Sequence, residues 1–137
     1  MKIKVLKLDK NAIIPSYAHA GDAGMDFYSL NKTVVEPQKR VSVSTGIVLE
    51  IPKGYVGLIW DKSGLAVNNG IKTMAGVIDS GYRGEIQIII FNTSQIKFII
   101  EKGDRIAQIL IQKIESPELV EVNKLFPLDN IKNTFML

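Results

Sequence analysis

Apolar residues in this chain recur at every second position, in short runs broken by Gly, Pro and Asn, and rarely with a helical period. Ile3 and Val5 alternate with Lys2 and Lys4. Val41 and Val43 alternate with Arg40, Ser42 and Ser44, in a run that continues through Gly46 into Ile47-Val48-Leu49. Tyr55 to Trp60 is a β-rich run behind the turn signal Pro52-Lys53-Gly54. Glu85 to Phe91 is rich in isoleucine and predicts a strand buried on both faces. Ile96 to Ile100 and Arg105 to Ile114 are two more strand candidates, separated by the turn Glu101-Lys102-Gly103-Asp104. A period of two sends alternate side chains to opposite faces, so each run can cover a core with one of them. Short strands at this spacing predict an all-β sandwich or jelly roll. One short helix is expected from Gly64 to about Val67, with Ser63 as its N-cap and Gly70 beyond its end.

The 137 residues amount to one domain. With 46% hydrophobic and 23% charged residues, the composition excludes a disordered, collagen-like or disulfide-built chain. There is no Cys, hence no disulfide, no thiolate nucleophile and no Cys-held metal. The single histidine, His19, rules out a multi-His metal site within one subunit, and its setting reads as a surface turn. No apolar run approaches a membrane span, and Met1 to Lys10 has no continuous apolar core of the secretory kind. The expectation is a soluble, cytoplasmic protein. A net charge of +3, scattered along the chain, argues for neither a nucleic-acid nor a membrane partner.

Four polar clusters interrupt the β pattern. Ala20 to Phe27 is glycine-rich and holds Asp26, a turn or strand-end carboxylate. Asp61 to Ala66 offers a cation, a hydroxyl and a glycine at a helix start, which suits an anion, or else a capped helix with a surface lysine. Gly76 to Gly84 places Asp79 after three apolar residues and before a Gly-Tyr turn. A carboxylate there is either a general base on a hairpin or an acceptor of turn hydrogen bonds. Lys102 to Gln108 reads as a hairpin turn followed by a strand glutamine.

Taken in order, the four clusters resemble motifs one to four of the trimeric dUTP diphosphatase (dUTPase) family. Ala23-Gly24-Met25-Asp26-Phe27 resembles A-G-x-D-L, and Lys62-Ser63-Gly64-Leu65-Ala66 resembles R-S-G-L-A. Gly76 to Gly84 (GVIDSGYRG) is similar to G-V-I-D-x-x-Y-x-G, the most specific of the four. Gly103 to Gln108 matches G-D-R-I-A-Q. The resemblance covers roughly residues 1–125, leaving 126–137 as a C-terminal arm or tail.

The resemblance implies a distorted jelly roll, assembled as a homotrimer with active sites at the subunit interfaces. It implies hydrolysis of dUTP to dUMP and pyrophosphate with Mg²⁺ on the triphosphate, which limits uracil in DNA and supplies dUMP for thymidylate synthesis. By that likeness Asp79 activates the attacking water and Tyr82 packs on the deoxyribose. Gly76, Val77 and Ile78 read the uracil edge. Lys62, Ser63, Gly64 and Gln108 hold phosphate oxygens, and Asp26 contacts Mg²⁺ through water. Arg105 either braces a carboxylate or touches the ligand. Phosphoryl transfer depends on positioning and charge stabilisation more than on covalent groups, so the lack of Cys is no obstacle.

Two departures stand out. The family's usual P-R in motif two is Asp61-Lys62 here, which keeps a cation without arginine's fork. Asp61 should repel phosphate unless it points away or pairs with a lysine. The glycine-rich fifth motif is also not found in residues 128–137, where Lys132, Asn133 and Phe135 stand instead. A non-catalytic nucleotide-binding protein on the same fold is therefore one alternative. A dCTP deaminase is another, opposed by Ile89, which stands where that family needs a glutamate to move protons.

Overall fold

The computed structural model describes residues 1–127. The chain forms β1 (Lys4–Lys7), β2 (Met25–Tyr28), β3 (Thr33–Val35), β4 (Arg40–Ser44), β5 (Ile47–Glu50), β6 (Tyr55–Trp60), α1 (Ser63–Asn69), β7 (Ile71–Met74), β8 (Val77–Ile78), β9 (Gln87–Asn92), β10 (Phe98–Ile100) and β11 (Arg105–Lys113). The all-β expectation is met. Strands pair in four sheets, ordered β1-β5, β10-β3, β2-β11-β6-β8 and β4-β9-β7, and every pairing is antiparallel. No helix among the described residues is long and apolar enough to cross a membrane.

The core gathers side chains from all four sheets. Phe27, Val35, Val43, Ile47, Ile51, Ile88, Ile90, Ile100, Ile106 and Ile109 are buried within it. Ile88 and Ile90 keep the alternation seen in the sequence along β9, whereas on β11 a register shift between Arg105 and Ala107 breaks it between Ile106 and Ile109. Asn92 is the most deeply buried of five buried polar side chains among the described residues, the others being Asp26, Ser29, Thr45 and Thr73. The Asn92 amide donates to the carbonyls of Val35 (3.0 Å) and Ile96 (2.8 Å), which satisfies both of its N–H groups.

Three local expectations are corrected. The run from Arg40 to Leu49 is not one strand. It turns at Thr45-Gly46, where the Gly46 N–H donates to Glu85 (2.8 Å), and β4 and β5 then join different sheets. Strand β9 is buried on one face only: Ile86, Ile88 and Ile90 point inward, while Ile89 and Phe91 on the other face are half-buried. The N-cap of α1 is Lys62, not Ser63, and it makes no side-chain cap bond, whereas Gly70 closes the helix in the left-handed region as expected. His19 lies in an exposed turn and accepts no role in the core; its N–H donates to Asp22 at 2.9 Å.

Candidate active site

The site residues fall into two groups. The first is the hairpin that follows β7. Ala75 (φ +59°) and Gly76 (φ +107°) reverse the chain there. A left-handed backbone costs a non-glycine residue about 1–2 kcal/mol, and strain of this kind gathers at functional sites. A Cβ on Gly76 would stand 3.0 Å from the Ile59 carbonyl, and the Gly76 carbonyl accepts the Ile59 N–H at 2.8 Å. Gly76 thus fastens β8 to β6. Strand β8 is the edge of its sheet, paired through Gly57 and Leu58 on one side only. Among the described residues its other edge has no strand partner, which leaves backbone donors and acceptors there open.

Asp79 follows directly. Its carbonyl accepts the Tyr82 N–H at 3.1 Å and closes the turn. Its carboxylate is exposed and takes no hydrogen bond from the described residues. The turn therefore does not need the acid group, and the reading of Asp79 as a turn acceptor fails. Arg83 braces the turn from outside, donating to the carbonyls of Ser80 (2.6 Å) and Tyr82 (3.0 Å). The Tyr82 hydroxyl donates to the Glu85 carbonyl at 2.8 Å, which fixes the ring beside the turn. Gly76, Val77, Ile78, Asp79, Tyr82 and Ile89 line a cleft of about 230 Å³.

The second group lies where β2, β6 and β11 meet α1. Asp26 is the second residue of β2, opposite Gln108 of β11, and is 2% exposed. Its Oδ1 accepts the Lys62 ammonium at 2.5 Å. Its Oδ2 is buried without a hydrogen-bond partner, with Arg105 Nε 3.7 Å away. Arg105 thus braces the carboxylate. Gln108 Nε2 donates to the Asp61 carbonyl at 2.9 Å. Ser63 and Gly64 open α1 beside Lys62 and are exposed. The cleft beside β8 is lined by none of Lys62, Ser63, Gly64 or Gln108. A larger apolar cleft, about 420 Å³ between β1 and the segment before β2, contributes no carboxylate and none of this chemistry.

Asp61 answers the concern about repulsion. Its carboxylate accepts from Lys72 (2.7 Å) and from the N–H and hydroxyl of Thr73 (2.5 and 2.6 Å). Burial works to raise its pKa, but the Lys72 and Thr73 hydrogen bonds and the Lys72 charge outweigh it and hold the carboxyl below its ordinary value. A depressed folded-state pKa stabilises the fold fully above the unfolded value, near pH 4, and the stabilisation fades as pH falls through the folded value. Asp61→Asn is therefore expected to be less stable than wild type at neutral pH, with the gap closing below about pH 4. Denaturation at both pH values checks this; a gap that ignores pH would mean the charge contributes nothing.

Asp26 offers one buried carboxylate whose Oδ2 has no hydrogen-bond partner among the described residues. Among the described residues there is no group of three His, Asp or Glu that could enclose an ion. Magnesium keeps several waters and takes one or two carboxylates plus phosphates. A single buried carboxylate with a spare oxygen fits an ion that arrives with phosphate and water.

A family model described as dUTPase matches residues 10–136. The chain belongs to the dUTPase family. A deoxyuridine 5'-triphosphate nucleotidohydrolase of Mycolicibacterium vanbaalenii is 47% identical over 123 residues, covering 88% of this chain and 80% of its own. The dUTPase of Staphylococcus bacteriophage 80alpha with dUpNHpp superposes with a TM-score of 0.88 at 31% identity, covering 94% of this chain and 92% of its own. A mutant dUTPase from phage phi11 of S. aureus, described with a structural Mg(II) ion, gives a TM-score of 0.85 at 31% identity over 90% of this chain and 98% of its own. The jelly-roll expectation is met by these likenesses. The tail residues Lys132, Asn133 and Phe135 lie outside the described residues.

Proposed function

We propose that the chain hydrolyses dUTP to dUMP and pyrophosphate, as a homotrimer acting with Mg²⁺. The observation that carries this reading is the cleft beside β8, where an open strand edge, a free carboxylate and an aromatic ring meet. Uracil presents an acceptor–donor–acceptor edge, the pattern one strand offers another, and Gly76, Val77 and Ile78 can meet it as a strand meets its partner. Asp79, with no side-chain hydrogen bond to give up among the described residues, orients a water and takes its proton. The oxygen of that water bonds to the α-phosphorus, the bond to the bridging oxygen breaks, and pyrophosphate leaves. Lys62, Ser63, Gly64 and Gln108 hold phosphate oxygens. Mg²⁺ would neutralise charge on the triphosphate and the leaving group, with Asp26 contacting it through water.

Assembly follows from the same geometry. Within one chain the hairpin cleft and the Lys62–Gln108 group do not share a lining. A neighbouring copy can bring the second group to the first. The outer face of β4-β9-β7 also leaves Ile89 and Phe91 half-buried and Met74 42% exposed, a surface that a second copy would cover. Sedimentation is expected to give a trimer without nucleotide or metal; an active monomer would overturn the shared site.

Tyr82 supplies the sugar preference. If its ring, fixed by the bond to Glu85, lies against the deoxyribose, a 2′-hydroxyl loses its water or clashes. UTP should then be a far poorer substrate than dUTP, and Tyr82→Ala should narrow the gap. An unchanged ratio of kcat/KM would leave Tyr82 as a structural aromatic.

The deciding experiment is mass spectrometry of dUTP incubated with the protein and Mg²⁺. Equal amounts of dUMP and pyrophosphate are expected. Binding without turnover would identify a nucleotide-binding protein instead. Deamination of dCTP would contradict Ile89, whose aliphatic side chain lines the cleft where a proton carrier would have to stand.

A further inference from the structure

Asp61 sits between the last residue of β6 and the N-cap of α1, and everything around it is tied to the phosphate-holding group. One of its carboxylate oxygens accepts both the N–H and the hydroxyl of Thr73, and the other accepts Lys72. Thr73 is 6% exposed in β7, a strand of the three-stranded sheet, while β6 belongs to the four-stranded one. The Asp61 side chain therefore pins the β6–α1 junction across two sheets. Its carbonyl, on the same pinned residue, accepts Gln108 Nε2. On its other side the Gln108 side chain fills the space left by Gly24, where a Cβ would collide with Oε1. Lys62 follows in the chain and reaches Asp26.

We propose that Asp61 is a positioning residue for the triphosphate: its bonds to Thr73 and Lys72 set the backbone that aims Lys62 and the Gln108 amide. This rests on the reading above that Lys62 and Gln108 hold phosphate oxygens. Thr73 and Lys72 stabilise an acid that would otherwise place an unpaired negative charge one residue from the phosphate site. Two sheets joined at this point leave the junction little freedom, since shifting Asp61 breaks three bonds at once. A preorganised donor is worth more than a mobile one because it needs no reorganisation as charge develops.

The test is a set of binding titrations with dUpNHpp and with deoxyuridine, which has no phosphate, on the full chain. Wild type is compared with Asp61→Ala, Asp61→Asn and Thr73→Val. Asp61→Ala is expected to weaken dUpNHpp by about tenfold or more, as loss of a charge-assisted clamp implies, with deoxyuridine affinity unchanged. Asp61→Asn can still accept from Thr73 and should recover most of the loss. Thr73→Val keeps the N–H bond and removes the hydroxyl, so it tests the clamp without altering the loop before α1. An intermediate loss confined to dUpNHpp is expected of it. Losses shared equally by both ligands, or no loss for either, overturn the positioning role. Wild type that binds dUpNHpp no more tightly than deoxyuridine overturns the phosphate reading of Lys62 and Gln108, and the clamp's role falls with it.

Discussion

Asp79→Asn is expected to lower kcat for dUTP by about 10²–10⁴ while leaving the hairpin folded. The turn is held by backbone and neighbours: the Asp79 carbonyl accepts from Tyr82, and Arg83 grips the carbonyls of Ser80 and Tyr82. None of these bonds uses the carboxylate. Asparagine has the same size, so the unfolding temperature and the affinity for dUpNHpp should hardly move. The loss then falls on kcat and kcat/KM together, the pattern of an interaction made in the transition state. Steady-state kinetics beside a thermal scan checks both halves. Wild-type turnover in the variant would remove Asp79 from the mechanism, and a loss of folding would return it to the turn.

The strands with strong alternation were legible from the sequence. The run Arg40 to Ser44 coincides with β4 through its alternation, and Tyr55 to Trp60 coincides with β6 as a β-rich run behind the Pro52-Lys53-Gly54 turn. β8 was not legible as a strand. It is two residues long, and it is defined by pairing with Gly57 and Leu58 some twenty positions earlier. The misreading of β9 has a physical cause too. Ile89 and Phe91 look like core residues, yet they alternate onto a face that this chain alone does not cover. Period cannot distinguish burial within a chain from burial between chains.

The motifs located the candidate site residues, but not their internal connections. Asp26 and Lys62 are 36 positions apart, and Gln108 is 47 from Asp61. Only the pairing of β11 with both β2 and β6 brings them together. That Asp61 would pair with a lysine was one of the sequence's alternatives, but which lysine was not legible, because Lys72 and Thr73 lie on β7, a four-residue strand eleven and twelve positions further on. The alternation Ile71-Lys72-Thr73-Met74 was the available signal, with Ile71 and Thr73 inward and Lys72 and Met74 outward.

Asp26→Asn should damage stability and metal dependence together. Asp26 is buried, and its Oδ1 holds the Lys62 ammonium, whose side chain is 28% exposed. Removing one partner of a buried ion pair costs about 3–5 kcal/mol, because the remaining charge keeps its desolvation without its attraction. The partial exposure of Lys62 puts the expected loss near the lower end, about 3 kcal/mol. The second effect is on Mg²⁺. A carboxylate that contacts an ion through water acts as outer-shell ligands do, and losing one weakens metal affinity by about 10–100-fold. The Mg²⁺ concentration for half-maximal rate should therefore rise by at least about tenfold. Urea denaturation gives the first number and a Mg²⁺ titration of dUTP hydrolysis the second. A variant that loses stability but keeps its Mg²⁺ dependence would confine Asp26 to holding Lys62. One that keeps both would mean that neither the ion pair nor the spare oxygen matters, and the metal would have to be held by the nucleotide and water alone.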